Sequence, residues 1–249
     1  MASLPNPLPA LAGLELGLPS GTLLGTTLWL ADAPAHPGDW TTYQQAPRTV
    51  GLLPVLIDVG AGHGGPGEWE LAPGEMSYPG DHDAEEILSD FWEECCAGEA
   101  GDWPGLAAPT AAQADADAVA ADVVDSLLRG GGPLKDPCLA LVPTRRSADI
   151  PTAIGWTGPT NYADDTALLS AVLRSWEDRF GARVVALGFD QLIVSVAAPP
   201  TTLDEALAVA AEHFAFCPDN IWQGPTGTTL QTYAERQLLN RPAWHFWWD

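Results

Sequence analysis

Positive charge is scarce in this sequence. Among its 249 residues, 10 are Lys or Arg and 33 are Asp or Glu, which gives a formal net charge of −23. Lysine occurs only once, as Lys135. A chain this acidic lacks the basic surface that nucleic acids bind, and anionic lipids repel it. We therefore expect neither nucleic acid nor a membrane as its partner.

Long hydrophobic runs and targeting signals are missing as well. No apolar run approaches the roughly 20 residues that a membrane-spanning helix needs. Residues 1–12 lack the basic residues of a secretion signal, so we expect a cytoplasmic protein. The preference for arginine over lysine, with abundant Ala, Gly and Pro, is typical of a high-GC bacterial genome. Hydrophobic residues make up 46% of the chain, which is enough for a folded core.

Complete catalytic motifs are also absent. The sequence contains no GxSxG, HExxH or P-loop pattern. Its cysteines form no CxxC pair, so the usual spacing of a zinc site is lacking; they are Cys95, Cys96, Cys138 and Cys217. We expect no cofactor, and the sequence leaves open whether the protein is an enzyme.

The negative charge is concentrated in one stretch, residues 49–128, which we call the acidic window. It contains 17 Asp and Glu residues and no Lys or Arg. A surface of one sign attracts partners of the opposite sign, although it also serves plain solubility. We expect a non-enzymatic protein that binds a basic protein partner, in an immunity or antitoxin-like role. The oligomeric state is left open.

Hydrophobic patterning predicts an α+β fold in two parts. In the first part, strands are predicted over 22–31 and 50–59, with Pro54 favouring an edge or a bulge in the second. Helices are predicted over 37–46, 81–96 and 111–129, and the helix over 81–96 has an apolar stripe from Ile87 to Cys95. Gly130 to Pro133 has the composition of a linker. We therefore divide the chain into an acidic N-terminal α/β region, 1–132, and a C-terminal α+β domain, 133–249.

The C-terminal part has the clearer pattern of strands and helices. Strands are predicted over 137–143, 183–187, 191–197 and 244–248, and a glycine turn joins the middle two as a hairpin. Helices are predicted over 164–180, from Thr201 or Thr202 to about 214, and over 229–239. This β-α-β-β-α-β order is that of the ferredoxin-like, or split βαβ, fold.

Reactive side chains are densest in the segment from His213 to Trp222. His213 and Cys217 lie four residues apart, so a helix would place them on one face, where the imidazole could raise the thiolate content of the cysteine. Asp219 could then orient the histidine, and Asn220 and Trp222 could contact a ligand. Pro218 breaks the helix close to Cys217, however. The alternative is a helix end with a buried thiol and an Asp-Asn turn.

The chain ends in the tryptophan-rich stretch 244–249. On a strand, Trp244, Phe246 and Trp248 would share one side, and His245, Trp247 and Asp249 the other. One side is expected to be core. The other, with Trp247 and Asp249, could be a binding platform for a small molecule or could pack under a second layer.

Two further groups of side chains could hold an ion or a ligand. His82, Asp83 and Glu86 offer ligands to a hard divalent metal, although helix capping alone explains the two acids. Arg145 and Arg146 form the only adjacent basic pair, and they could bind a phosphate or carboxylate ligand or pair with the chain's own acids.

The C-terminal half resembles a known bacterial family. The resemblance is carried by SAVLRSWEDRFGARVVALGFD, by LIVSVAAPPTTLDEALAVAAEHFAFCPDNIWQG and by the final WHFWWD. It covers about residues 139–249, and its specific motifs are Cys217-Pro218-Asp219 and Trp247-Trp248-Asp249. The family is the domain of unknown function numbered 4253. The resemblance implies a shared fold and ancestry, and it implies no catalytic residues.

Overall fold

A computed structural model describes residue 11 and residues 17–60, 62–96, 101–110 and 114–249. In this part of the chain, the seven strands are β1 Gly21–Leu24, β2 Leu28–Pro34, β3 Leu52–Asp58, β4 Pro137–Pro143, β5 Ala182–Leu187, β6 Gln191–Val196 and β7 Ala243–Trp247. The α-helices are α1 Asp39–Thr49, α2 Ala84–Cys96, α3 Ala116–Leu128, α4 Ile150–Ile154, α5 Thr166–Phe180, α6 Leu203–Phe216, α7 Asp219–Trp222 and α8 Leu230–Tyr233.

The strands form one mixed sheet in the order β1-β2-β4-β3-β5-β6-β7. Neighbouring strands are antiparallel except β3 and β5, which run parallel and pair at Leu56 and Ile57. The mixed α/β class is therefore confirmed, but the ferredoxin-like order is not. In that fold the last strand pairs with the first, whereas here β7 pairs with β6, and both neighbours of β4, β2 and β3, come from the N-terminal half of the chain.

Strand β3 differs most from its prediction. All seven of its residues are buried, and it lies in the middle of the sheet rather than at an edge. Pro54 lies opposite Leu141 of β4, whereas the pairing with β5 begins two residues later, at Leu56. The proposed boundary at 132/133 stays a prediction, although strands from both sides of it hydrogen-bond to each other.

Helices cover both faces of the sheet because the strands alternate their apolar side chains. On one face, α2, α5 and α6 pack over residues such as Val55, Ile57 and Val194 in an aromatic-rich core. On the other face, α1 and α3 pack over Leu56, Leu141 and their neighbours in a smaller core.

Sequence patterns within each segment account well for helices α2, α5 and α6, which form the layer over the aromatic-rich core. The apolar stripe of α2 is confirmed, since Ile87, Leu88, Phe91 and Trp92 are all buried. Helix α5 begins at its cap Asp165 and ends at Gly181, which has a positive φ of 62°. Helix α6 begins in a capping box formed by Thr202 and Glu205.

Three N-terminal predictions need adjustment. The strand predicted over 22–31 is two strands, because the chain turns at Gly25, which has a φ of 59°. The helix predicted over 37–46 is observed as Asp39–Thr49. The helix predicted over 111–129 is observed as Ala116–Leu128, and residues 111–113 of that prediction lie outside the described residues.

None of the helices in the described part of the chain has both the length and the apolar character that crossing a bilayer requires.

Candidate functional site

Cys217 is a buried hydrogen-bond donor at the end of α6. Its side chain has no exposed surface, and its Sγ lies 3.0 Å from the carbonyl oxygen of Trp247. Burial raises the pKa of the Cys217 thiol to about 12. The group is therefore a protonated thiol at neutral pH, and a thiol is a weak nucleophile.

His213 lies one turn earlier on α6, inside the aromatic core. It is fully buried, and its ring contacts those of Trp176, Trp244 and Phe246 at centroid distances of 4.6–5.0 Å. Burial lowers the pKa of His213 well below its ordinary value, so the ring is neutral.

Hydrogen bonds link that ring to α7 through Tyr233. Asn220 Nδ2 donates to the hydroxyl of Tyr233 at 3.1 Å, and that hydroxyl lies 3.0 Å from His213 Nδ1. His213 Nε2 has no hydrogen-bond partner among the described residues. The contacts of the ring on its other sides are therefore with aromatic side chains.

The three residues proposed as a catalytic group therefore have separate partners. The Cys217 thiol donates a hydrogen bond to the carbonyl oxygen of Trp247, and the His213 ring is hydrogen-bonded to the hydroxyl of Tyr233. Asp219 Oδ2 accepts from the backbone N–H of Asp249 at 3.1 Å. Among the described residues, the His213 ring and the Cys217 thiol share no hydrogen bond. The arrangement has the features of the alternative prediction, in which Cys217 is a buried thiol at the end of a helix.

The side chains of Cys217, Asp219 and Asn220 are nevertheless brought together by one strand. Trp248 N donates to Asp190 O on the β6 side, so the backbone groups of residues 245, 247 and 249 point to the other side of β7. These outward groups are the ones used: Asn220 Nδ2 donates to His245 O at 2.8 Å, Cys217 Sγ to Trp247 O, and Asp219 accepts from Asp249 N. The two sequence motifs of the family resemblance thus bind each other.

The alternation of the final strand is confirmed. Trp244, Phe246 and Trp248 are buried, at 1%, 1% and 3% exposure. Trp247, on the opposite side, is half-buried, and its Nε1 donates to Asp190 Oδ2 at 3.3 Å. Trp222 lies apart from that side and is 58% exposed, with its ring edge-on to Phe214 at 5.5 Å.

The candidate metal ligands have structural partners. Asp83 Oδ1 accepts from the backbone N–H groups of Glu85 and Glu86 at 2.9 and 3.1 Å, which confirms it as a helix-capping residue. His82 Nε2 hydrogen-bonds to Ser77 Oγ, and Glu86 is exposed. In the described parts of the chain, no group of three His, Cys, Asp or Glu side chains is arranged to hold a metal.

The adjacent arginines have different surroundings. Arg146 is paired with Asp178 at 2.6 Å and lies 3.6 Å from Glu177, so pairing with the chain's own acids is confirmed for this residue. Arg145 is exposed and borders a small cavity beside α1 that also contains Arg48, Arg183 and Asp117.

Two features of the structure were not anticipated from the sequence. One is the buried carboxylate Glu212, which binds Arg179 through two hydrogen bonds of 2.8 and 2.6 Å and also accepts from Trp176 Nε1 and Ala107 N. The sequence signal that could have indicated it is the presence of a charged residue, Glu212, among the apolar residues of α6. The other is a cleft beside Tyr233 and His245, where the chain forms a π-helical turn, Ala234–Leu238.

Comparison with known proteins finds a match for only part of the chain. The fold is a mixed sheet between layers of helices, and the model of the family described as a domain of unknown function (DUF4253) matches residues 138–249. This confirms the resemblance over β4 to β7, and the matched part is a little under half of the chain. No curated protein and no solved structure matches the sequence.

Proposed function

We propose that this chain is a non-enzymatic binding protein that holds a basic protein partner on its acidic surface, in an immunity or antitoxin-like role in the cytoplasm. The observation that carries the proposal is the outer side of α2. Its carboxylates lie on one half of the helix at about 100° per residue, opposite the buried stripe; they belong to Glu85, Glu86, Asp90, Glu93 and Glu94. We call this set the acidic face.

Exposure and lack of internal partners distinguish the acidic face. All five of its residues are exposed, as are Asp81 and Asp83 just before the helix. Of the 16 acids of the acidic window that lie in the described residues, 13 are exposed. Within the described residues, no Lys, Arg or His forms an ion pair with α2, whereas ion pairs do form at Asp117, Asp149, Glu177, Asp178 and Glu212. The carboxylates of α2 are therefore available to an external cation.

An exposed aromatic side chain lies beside the same helix. Trp222 contacts Phe214, and Phe214 contacts Trp92 of α2, with ring centroids 5.5 and 5.8 Å apart. Tryptophan is enriched among the residues that dominate binding energy at protein interfaces. A partner could bury Trp222 while its basic residues face α2.

The buried chemistry supports a binding role over a nucleophilic one. Cys217 is inaccessible and protonated, and its hydrogen goes to a backbone carbonyl. Catalysis by this thiol would require both exposure and a lowered pKa.

The proposal is tested with two matched variants that each remove four negative charges. One carries Glu86→Gln, Asp90→Asn, Glu93→Gln and Glu94→Gln on the acidic face. The control carries Asp32→Asn, Asp136→Asn, Asp164→Asn and Asp204→Asn, all exposed acids outside the acidic window. Each immobilised chain is offered an extract of the source cells at low and at high salt, and captured proteins are identified by mass spectrometry.

We expect a basic protein to bind the wild type and the control at low salt, and to be lost from the acidic-face variant. High salt should weaken that binding, because the Debye length falls to about 3 Å at 1 M. Trp222→Ala should lower the affinity without changing its salt dependence. Equal loss in both four-site variants, or capture of no basic protein by the wild type, would overturn the proposal.

A further inference from the structure

We infer that the cleft beside the π-helical turn is a binding site for a small oxyanion, a phosphate or carboxylate group of a small molecule. The cleft has a volume of about 220 Å³. This is below the ~300 Å³ at which pockets for drug-sized ligands begin, so it suits a small group. The site is independent of the acidic face.

The lining of the cleft is polar and contains no carboxylate. Seven of its eight lining residues carry a side-chain nitrogen or oxygen, and none of the eight is Asp or Glu. In a chain with 33 acids and 10 bases, a polar cleft free of acids runs against the composition. Its single charged residue is an arginine, Arg236.

Arg236 is left without an internal carboxylate. Five other arginines are held in ion pairs, namely Arg48, Arg146, Arg174, Arg179 and Arg183. Among the described residues, Arg236 has no such partner, and its backbone carbonyl accepts from Arg241 Nε. Guanidinium groups bind phosphate and carboxylate through two parallel hydrogen bonds, which matches the proposed ligand.

Most other polar side chains of the wall use their donor hydrogens within the protein, so donation to a ligand depends on the remaining residues. The hydroxyl of Thr228 donates to Pro225 O and that of Thr232 to Thr229 O, and that of Tyr233 hydrogen-bonds to His213 Nδ1. Both donors of Asn220 Nδ2 are used, by Tyr233 and by His245 O. Within the described parts of the chain, the lining side chains with no hydrogen-bond partner are those of Arg236, Gln237 and His245, and these can donate to a ligand.

The backbone at this place is irregular. Residues Ala234–Leu238 form a π-helical turn directly after α8, and Arg236 and Gln237 lie within it. Such turns are rare and frequently occur at functional sites. The hydroxyl of Tyr233 is hydrogen-bonded to both Asn220 and His213. This part of the cleft wall is therefore ordered without a ligand.

The test uses inorganic phosphate and succinate as probes on the full-length chain, with chloride added to keep the ionic strength constant. Binding is measured by calorimetry for the wild type, for Arg236→Gln, and for Arg129→Gln. Arg129 is a matched control because it is exposed, has no ion pair in the described residues, and follows α3 on the other face of the sheet. Circular dichroism and thermal unfolding without ligand confirm that each variant is folded.

We expect saturable millimolar or tighter binding of at least one probe, with an affinity about tenfold weaker or more in Arg236→Gln, because the paired charge-assisted hydrogen bonds are lost. Arg129→Gln should bind like the wild type. Preference for phosphate or for succinate identifies the class of group. Absence of saturable binding of both probes, unchanged affinity in Arg236→Gln, or an equal loss in Arg129→Gln overturns the inference.

Discussion

Helix α2 and the last two turns of helix α6 place carboxylates in opposite surroundings. The acidic face of α2 has five exposed carboxylates with no ion pair among the described residues. In α6, Glu212 is fully buried, and each of its oxygens accepts two hydrogen bonds. The same chemical group therefore faces solvent on α2 and holds the core together near the end of α6.

The difference shows that net charge alone does not locate function. A buried carboxylate is tolerated only when it is paired and hydrogen-bonded, because its desolvation is costly. An exposed carboxylate has little effect on stability, since water and salt screen it. Four variants distinguish buried, hydrogen-bonded groups from exposed carboxylates by their effect on the free energy of unfolding, which we expect to decrease in the order given.

Glu212→Gln should cause the largest loss of stability. It leaves the partly buried guanidinium of Arg179 without its counter-charge, and breaking a buried pair costs about 3–5 kcal/mol. The free energy of unfolding is measured by urea denaturation. Glu86→Gln, the same change on the acidic face, is the control. Equal stability of the two variants would remove the distinction between the helices.

Asp58→Asn tests whether the half of the chain or the surroundings decide how a carboxylate is used. Asp58 lies in the acidic window, but it is buried and accepts from the backbone N–H groups of Gly60, Lys135 and Asp136 at 2.8–3.2 Å. An amide loses the charge and part of this acceptor capacity, so we expect a loss of about 1–3 kcal/mol in the same assay. A loss as small as that of an α2 variant would show that position in the chain decides instead.

Cys217→Ala extends the comparison to a buried neutral group. Loss of the thiol and of its bond to Trp247 O should cost about 1–2 kcal/mol at pH 7. Burial raises the pKa of Cys217 from its ordinary 9.0 to about 12, so the thiol's contribution to stability is complete below pH 9 and declines as the pH rises toward 12. The gap between wild type and variant should therefore narrow above pH 9.

Site-resolved thiol labelling gives an independent check on Cys217. At pH 8, peptide mass spectrometry should find it unmodified in the folded protein and modified after denaturation. Rapid labelling of Cys217 in the folded protein would instead favour the hypothesis that it is a catalytic nucleophile.

The variant with four neutralised acids on α2 should show the smallest effect on stability. Surface substitutions of this kind change the free energy of unfolding by about 0.5 kcal/mol or less each, in either direction. A cooperative loss of several kcal/mol would mean that the acidic face is structural, and it would weaken the proposed binding role.

Local features of the fold could be predicted from the sequence, and long-range ones could not. Helices α5 and α6 and the hairpin β5–β6 were predicted within a few residues, because caps, glycine stops and apolar periodicity are local signals. The position of β3 depends on pairing with strands far along the chain, which no local pattern encodes. The same holds for Glu212, whose partner Arg179 lies on another helix.

The candidate site shows the same limit. The segment with His213, Cys217 and Asp219 was correctly singled out, and the alternation of Trp244, Phe246 and Trp248 was correctly assigned to the core. That Cys217 and Asn220 would bind the carbonyl groups of β7 could not be predicted, since the sequence does not show which way a strand's backbone groups point.

The central position of β3 has a consequence for synthesis on the ribosome. Its parallel neighbour β5 begins 124 residues after β3 ends. At about 5–20 residues per second, the nascent chain waits roughly 6–25 s before both neighbours of β3 have been made. During that time a strand with seven residues destined for the interior is exposed. The yield of native protein should therefore depend on chaperones and on translation speed more than the stability of the finished fold implies.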